Sequence, residues 1–333
     1  MGDVMSNESD WAERVRLASE WDEQGTGHPL VYRDNFDKFI IENEVASWPH
    51  IQDVFAGLFQ RSGWAFRGHE ISTWRLETGL ERACLRTVRL PGDPPNIGEM
   101  LFDPGGFERD LLLRFQRRAH HYIQNPPDDS DVLDWLAFMQ HHGVPTRLLD
   151  WTSSPYVALY FALEKSRPDV DCAVWAIDTD WLIEKANETL RLDPQFPTAP
   201  HDVRAFNQYL NGILFNGNNP NVVVVANPIK MNERAAAQQG VFLYDLSHRG
   251  SFAIPLLQML VLPTPPISPV IWKLRIKTAE RVQFLRELNR MNRMNIHGAS
   301  LFPGLAGFSR SLKIYLEGEV DGLLRRVERS EES

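Results

Sequence analysis

Strand-like and helical segments follow each other along the chain without regular alternation. This irregular succession is the sequence feature that constrains the fold most. Residues 173–177 form a continuous apolar run that is typical of a buried strand. Residues 271–277 alternate between apolar and basic side chains, which indicates a strand with one exposed face. A regular succession of strands and helices would predict a doubly wound sheet, whereas this irregular order favours an α+β fold. We therefore predict a mixed sheet of roughly six strands with flanking helices.

The chain of 333 residues has room for two domains, or for one large domain with extensions. We predict an N-terminal extension over residues 1–48 and a core domain over residues 49–245. Residues 246–333 are predicted to supply a strand and helices that pack on the core, followed by a polar tail. Residues 185–220 are rich in Pro, Asn and Gly, which predicts an insertion dominated by loops.

The charge balance limits the partners of the chain. It has 35 Lys and Arg against 44 Asp and Glu, a formal net charge of −9. No global basic field therefore attracts long nucleic acids or anionic membranes, and a site for a polyanion must be a local patch. No apolar run reaches the ~20 residues of a membrane span, and the polar N-terminus is unlike a signal peptide. Because two cysteines also fit a reducing compartment, we expect a cytoplasmic protein with no membrane partner and leave its oligomeric state open.

Several common site motifs are missing from the sequence. The adjacent histidines at 120–121 and 141–142 lack the i, i+4 spacing that places two metal ligands on one helix face. A Walker loop, a Gly-x-Gly-x-x-Gly motif and a Gly-x-Ser-x-Gly motif are also absent. We therefore expect no metal, and find no support for P-loop hydrolysis, Rossmann redox chemistry or serine hydrolysis.

The first candidate site residue is Arg67, which ends a strand-like segment and is followed by Gly68. A guanidinium at such a position can bind a phosphate, and the glycine lets the backbone come close to a ligand. In the alternative, Arg67 pairs with a core carboxylate and Gly68 makes a turn.

The second candidate site is the segment 140–155, where hydrogen-bonding side chains surround a helix end, a short strand and the start of another helix. Such groups are satisfied either internally or by a ligand, and free N–H groups at the helix start after Ser154 favour an anion. In the alternative, Arg147 and Asp150 form a buried pair that locks two segments together. The candidates selected here are His142, Thr146, Arg147, Asp150, Thr152 and Ser153.

The third candidate is the segment Gln238-Gln239-Gly240, which precedes a strand-like segment at 241–244. Its amides could read the edge of a base or of a carboxamide. The same three residues are also common in ordinary loops, so this pattern alone is weak. The helical-looking segment just before it begins at Glu233.

These motifs together resemble the bacterial FRG-domain family. Phe66-Arg67-Gly68 is similar to the tripeptide that names the family, and the run from Gln140 to Thr152 resembles its longest signature. The segment Leu301-Phe302-Pro303 also looks like a family feature. The resemblance covers roughly residues 50–310. It implies a family but no reaction, because the family was named as a domain of unknown function.

A more distant resemblance is to ADP-ribosyltransferases, and it implies a split sheet. In those enzymes an arginine followed by glycine holds the phosphates of NAD, as Arg67-Gly68 would here. A second strand carries Ser or Thr before a helix, which Thr152 and Ser153 resemble. A third strand begins with Gln/Glu-x-Glu, but Gly240 occupies the position of that glutamate. Asp150 or Glu233 would therefore have to replace the glutamate.

This resemblance implies NAD as a substrate and gives the candidates roles. Arg67 would hold the pyrophosphate, and Asp150 would face the ribose as its positive charge develops. Trp151 or Tyr160 would form an apolar wall. The candidate catalytic residues are Asp150, Glu233 and Gln239. The candidate NAD-binding residues are Arg67, Gly68, His142, Thr146, Arg147, Thr152, Ser153 and Tyr160.

Three functions remain open at the level of sequence. The first is transfer of ADP-ribose to a protein or a nucleic acid by a bacterial toxin or phage-defence effector. The second is a non-catalytic module that senses a nucleotide or binds a partner, which the missing glutamate favours. The third is a metal-dependent nuclease, for which we find no metal-binding carboxylate cluster.

Overall fold

A computed structural model gives the structure of most of the chain. The residues that it describes are 40–60, 63–88, 104–167, 169–197, 202–215, 219–247, 251–261, 266, 268–291 and 295–331. Residues 1–39, most of the predicted N-terminal extension, lie outside the described residues.

Seven strands form one mixed sheet. They are β1 (Ile41–Val45), β2 (Trp64–His69), β3 (Leu148–Thr152), β4 (Cys172–Asp178), β5 (Val223–Val225), β6 (Gly240–Asp245) and β7 (Ile271–Ile276). Their order across the sheet is β1-β7-β4-β2-β3-β6-β5, and β1 pairs with β7 in parallel while the other neighbours are antiparallel. The predicted α+β fold with a mixed sheet is confirmed, with seven strands where roughly six were predicted.

Helices flank this sheet. They are α1 (Trp48–Leu58), α2 (Gly79–Val88), α3 (Pro104–Ala119), α4 (Val132–His141), α5 (Pro155–Leu163), α6 (Thr179–Leu190), α7 (Val203–Ile213), α8 (Glu233–Ala237), α9 (Ala253–Val261), α10 (Arg281–Arg286), α11 (Gly298–Leu301) and α12 (Leu305–Glu331). A 3₁₀ turn at Thr278–Glu280 and a π-helical turn at Glu287–Met291 flank α10. None of the helices in the described part of the chain is long and apolar enough to cross a membrane.

Helix α5 begins where the sequence predicts. The side chain of Ser154 accepts a hydrogen bond from the N–H of Val157, and Pro155 stands at the first helical position, where its missing N–H costs nothing. By contrast, the loop-dominated insertion predicted over 185–220 is wrong for much of its length, because the end of α6 and all of α7 lie in it. Tyr209, Leu210 and Ile213 are buried along α7, so tertiary packing stabilises a helix that the local composition disfavours.

The sheet is covered on both faces, and β4 shows this most clearly. Trp175 and Ile177 belong to one hydrophobic core, whereas Val174 and Ala176 belong to the other. Because successive side chains of a strand point to opposite faces, burial on both sides explains why all seven residues of β4 are buried. A strand buried on both faces has a continuous apolar sequence rather than an alternating one.

The sheet joins all three predicted segments of the chain. Strand β1 comes from the predicted extension, and it pairs over five residues with β7, which comes from the predicted C-terminal region. Strand β7 in turn pairs with β4 of the predicted core over six residues. One sheet therefore contains strands from all three regions, and the boundaries predicted after residues 48 and 245 do not separate independent sheets. The division of the chain into domains stays a prediction.

Candidate functional site

The site begins where two central strands stop pairing. Strand β2 pairs with β4 over six residues, but it pairs with β3 only between Phe66 and Thr152. Beyond this pair, Nη1 of Arg67 donates a hydrogen bond to the main-chain oxygen of Asp150, 2.5 Å away. An arginine side chain thus connects β2 to β3 where the backbone ladder ends.

A cleft of about 840 Å³ opens at this junction, a volume within the usual range of small-molecule sites. Its cationic side chains are those of Arg67, Arg75, Arg82, Lys165, Arg234 and Arg310, and its carboxylates are those of Glu70, Glu77, Asp150 and Glu164. Six cations against four carboxylates make the cleft a local positive patch in a chain whose formal net charge is −9. Such a patch favours an anionic ligand over a cationic one.

Arg67 is a half-buried cation with no ion-pair partner among the residues that the structure describes. Burial lowers its pKa to about 10, Asp150 acts in the opposite direction and Arg82 lowers it further, so the group stays charged at neutral pH. Within the described part of the chain, no carboxylate oxygen lies within 4.0 Å of its guanidinium nitrogens. Among the described residues, Arg67 therefore does not pair with a core carboxylate, contrary to the alternative interpretation of the sequence.

His69 lies behind Arg67 as a neutral ring. Its Nε2 is 3.1 Å from Nε of Arg67, and its Nδ1 is 3.2 Å from Nε1 of Trp175. Burial, followed by the charge of Arg67, lowers its pKa to about 3. A neutral imidazole accepts at only one ring nitrogen, so it can satisfy only one of these two donors and does not neutralise the arginine.

Gly68 allows helix α5 to pack closely against β2. A Cβ atom at this position would overlap the carbonyl oxygen of Ala158 and lie 2.6 Å from the nitrogen of Ala162. The sequence pattern predicts that this glycine either lets a ligand approach the backbone or makes a turn. The structure places it in a strand that approaches a helix closely, and it also lines the cleft.

Asp150 and Thr152 both line the cleft, but their side chains are used differently. Asp150 is exposed, and its hydrogen bond with Arg67 uses the main-chain oxygen, so this contact does not engage the carboxylate. Thr152 is buried, and its Oγ1 donates to the main-chain oxygen of Gln238 at 2.7 Å while accepting from the N–H of Ser154 at 3.1 Å. Thr152 therefore ties β3 to the turn before β6.

Ser153 and Gln239 form a second link between the same two segments. The N–H of Ser153 donates to the main-chain oxygen of Gln239 at 3.0 Å, and its Oγ lies 3.4 Å from Oε1 of Gln239. Gln239 has φ +49°, a left-handed conformation that is uncommon for residues other than glycine. Neither residue is among those that line the cleft, whereas the neighbouring Gln238 is.

Arg147 lies in the interior and away from the cleft. It is 2% exposed, its Nε lies 2.9 Å from Oε2 of Glu108, and its guanidinium stacks 4.6 Å from the ring centre of Tyr244. Its partner is thus Glu108 of α3 rather than Asp150. Because its donors are engaged by protein groups, including the main-chain oxygens of Asp245 and Ser247, we leave Arg147 out of the site.

Four further candidates also lie outside the lining of the cleft. Thr146 is buried and donates to Gln140, a residue that does line the cleft. Tyr160 is buried in the core that contains α5. His142 and Glu233 are exposed at other surfaces, and His141 lines the cleft where His142 does not.

Sequence reasoning missed a cationic and aromatic wall of the cleft. The guanidinium carbons of Arg234 and Arg310 lie 4.8 and 3.9 Å from the ring centre of Phe302. Burial lowers the pKa of Arg234, and the neighbouring charge of Arg310 lowers it further. Nη1 of Arg310 lies 3.3 Å from Oε1 of Glu164. The resemblance included Phe302, but it carried no signal for either arginine.

The described residues offer no obvious metal site. No three His, Cys, Asp or Glu side chains among them are grouped so that they could hold a metal ion. The nuclease alternative therefore has no metal-binding cluster in this part of the chain.

The comparisons with known proteins identify one region. The family model described as the FRG domain matches residues 62–171. This range contains Arg67, Gly68 and Asp150 but ends before Arg234, Phe302 and Arg310. Comparison with curated proteins and with solved structures found no match.

Proposed function

We propose that this chain, which carries an FRG domain at residues 62–171, binds a nucleotide of the NAD class in the cleft between β2 and β3. The observation that carries the proposal is the guanidinium of Arg67, a partly buried cation without a carboxylate partner among the described residues. A desolvated cation that no protein anion neutralises favours a bound anion. A phosphate is well suited because it can accept two parallel hydrogen bonds from one guanidinium.

The charges along the cleft match a ligand with a phosphate beside a sugar. Asp150 raises the pKa of Arg67 and of Arg234, against the larger effect of burial on each, so its carboxylate lies near both cations. Arg82 is near Arg67, and Arg310 is near Arg234. We assign the pyrophosphate to Arg67 and Arg82 and place the adjoining ribose at Asp150.

Trp74 supplies a surface for a flat ring. It lines the cleft with 47% of its surface exposed, and its ring centre is 6.2 Å from that of His69. Exposed aromatic rings bind nucleobases by stacking, which contributes about 1–3 kcal/mol per base in nucleic-acid complexes. We assign one ring of the nucleotide to Trp74.

Transfer of ADP-ribose is the more specific form of the proposal, and the exposed carboxylate of Asp150 favours it. In this reaction the bond between nicotinamide and ribose breaks, and nicotinamide leaves with the bonding electrons. An acceptor group then bonds to the ribose carbon and loses a proton. Asp150 would stabilise the positive charge that develops on the ribose. Transfer to a protein or nucleic acid would make the chain a toxin or a phage-defence effector.

Nucleotide binding without turnover is the alternative. In the resemblance to ADP-ribosyltransferases, Gly240 stands in place of the catalytic glutamate, and Glu233 does not line the cleft. The chain would then act as a sensor that changes its interactions when the nucleotide binds. Release of nicotinamide from NAD separates the two forms, because only transfer or hydrolysis produces it.

Calorimetric titration with NAD tests binding. We expect Arg67→Gln to weaken NAD binding at least about tenfold, since a hydrogen bond to a charged group contributes roughly 1.5–3 kcal/mol. Arg114→Gln is the matched control, because Arg114 is an exposed arginine paired with Asp110 on α3. Equal NAD affinity in both variants, with the fold checked by circular dichroism, would refute the role of Arg67. Absence of NAD binding by the unchanged protein would refute the proposal itself.

A further inference from the structure

Helix α12 carries a long apolar face that no described residue covers. Its members are between 47% and 78% exposed, although each is large and apolar. They are Leu305, Phe308, Leu312, Tyr315, Leu316, Val320 and Leu323. Apart from the adjacent Tyr315 and Leu316, successive members are three or four residues apart, which places them on one side of the helix. Scattered apolar side chains are normal on a protein surface, but a continuous patch of this length marks an interaction site.

The opposite side of α12 is held against the protein. Nη1 of Arg281 lies 2.6 Å from Oε2 of Glu317, and Nη1 of Arg286 lies 3.2 Å from Oδ2 of Asp321. A Cβ atom on Gly318 would lie 3.3 Å from Nε of Arg286, so this part of α12 packs closely on α10. These contacts fix the rotation of the helix, and the apolar face therefore points away from the body of the protein.

Six of the seven apolar residues form symmetric pairs when the face is reversed, and the seventh, Tyr315, then lies opposite Lys313. Leu305 and Leu323 lie equally far from residue 314, as do Phe308 and Val320, and Leu312 and Leu316. In an antiparallel pair of identical helices centred on this residue, each of these positions meets the other member of its pair. Leucine then packs on leucine at the centre and at both ends, while phenylalanine packs on valine between them.

We infer that this face binds a second copy of the chain, with the two α12 helices antiparallel across a twofold axis near residue 314. A twofold interface requires that one patch be complementary to itself, and the reversed symmetry of the three pairs meets this requirement. A different partner would impose no such symmetry on the spacing. From Leu305 to Leu323 the helix is about 27 Å long at 1.5 Å per residue, enough for several layers of packed side chains.

Sedimentation equilibrium of the full chain tests the dimer. We expect the unchanged protein to be a dimer at micromolar concentration, and Leu312→Glu/Leu316→Glu to be a monomer, because the carboxylates would be buried at the centre of the pair. Leu192→Glu is the matched control, since Leu192 is 85% exposed elsewhere on the surface. It should remain a dimer. A monomer at all concentrations for the unchanged protein would overturn the inference.

Disulfide trapping tests the antiparallel register. On a Cys84→Ser background, a mixture of Leu312→Cys and Leu316→Cys chains should form the mixed dimer faster than either variant forms a dimer alone. A parallel pair would instead favour the bond between two identical variants, and that result would refute the proposed register. Trp21 is a large apolar residue of the segment 1–39, which lies outside the described residues. A bond within one chain between cysteines placed at Leu316 and Trp21 would show that this segment covers the face, and would refute the dimer.

Discussion

Arg67 donates a hydrogen bond to the main-chain oxygen of Asp150 rather than to its carboxylate, with 2.5 Å between nitrogen and oxygen. The contact holds a cation and a carboxylate side by side at the end of the β2–β3 pairing without neutralising either. The cation can therefore contact a phosphate while the carboxylate faces the adjoining sugar. This arrangement separates the binding role of Arg67 from the chemical role proposed for Asp150.

Replacement of Asp150 tests this separation. Asp150→Asn should leave the free energy of unfolding within about 0.5 kcal/mol, because the side chain is exposed and its main-chain contact with Arg67 remains. We expect NAD affinity to stay equal or rise, since an anion next to the proposed phosphate site becomes neutral, while nicotinamide release falls at least about 100-fold. Equal release by Asp150→Asn and the unchanged protein, measured by chromatography, would remove Asp150 from the chemistry.

Replacement of Gly68 tests the packing of α5 on β2. Gly68→Ala should lower the free energy of unfolding by about 1–3 kcal/mol, since the added methyl group meets the backbone of α5 rather than a side chain that could move. Gly212→Ala is the matched control. Apart from its chain neighbours and the backbone of its own helix, no atom lies within 4 Å of the added methyl group there, so this helical position should gain about 0.5–1 kcal/mol. Urea denaturation measures both, and similar changes in the two variants would contradict the packing role.

Replacement of Arg147 distinguishes a structural role from binding. Arg147→Met should lower the free energy of unfolding by about 3–5 kcal/mol, because it leaves the buried carboxylate of Glu108 without its cation. Arg114→Met removes an exposed pair and should cost less than about 1 kcal/mol. Urea denaturation compares the two. If Arg147→Met stayed as stable as the control and lost NAD binding, Arg147 would belong to the site after all.

The buried carboxyl group of Glu81 should make stability depend on pH. Burial raises its pKa to about 7, whereas the unfolded chain releases this proton near pH 4.5. The folded state therefore holds an extra proton between these values. This contribution is fully present below pH 4.5 and is lost as the pH rises to about 7.

Glu81→Gln removes this titration, because the amide is neutral throughout and its oxygen can still accept from the N–H groups of Thr78 and Phe252. It also removes a charge that helps to raise the pKa of Asp245. Between pH 5 and pH 8, the variant should lose less stability than the unchanged protein, by up to about 3 kcal/mol at 1.36 kcal/mol per pKa unit. Burial also raises the pKa of Asp245 to about 7. The free energy of unfolding of the variant therefore still falls as the pH rises, but less steeply than that of the unchanged protein. Urea denaturation at both pH values measures the difference, and identical slopes would contradict the shift.

Local patterns in the sequence were enough to predict the fold class and several elements. The apolar run at 173–177 became the buried strand β4, and Ser154-Pro155 marked the start of α5. These features depend on neighbouring residues, through side-chain alternation and helix capping, and so they are readable from the chain itself. The strand-like segment that contains Arg67 was predictable for the same reason, but Arg67 does not end it, because β2 continues through Gly68 to His69.

Only the tertiary structure decided which polar residues share the cleft. Arg67 and Arg147 look alike in sequence, yet one lines the cleft and the other pairs with Glu108, 39 residues away. Arg234 and Arg310 meet on Phe302 although no local pattern connects them. A side chain's environment depends on segments brought together by sheet order and helix packing, and these contacts have no counterpart in the neighbouring sequence. The elements of this protein are therefore largely set by its local sequence, whereas its candidate site is set by long-range packing.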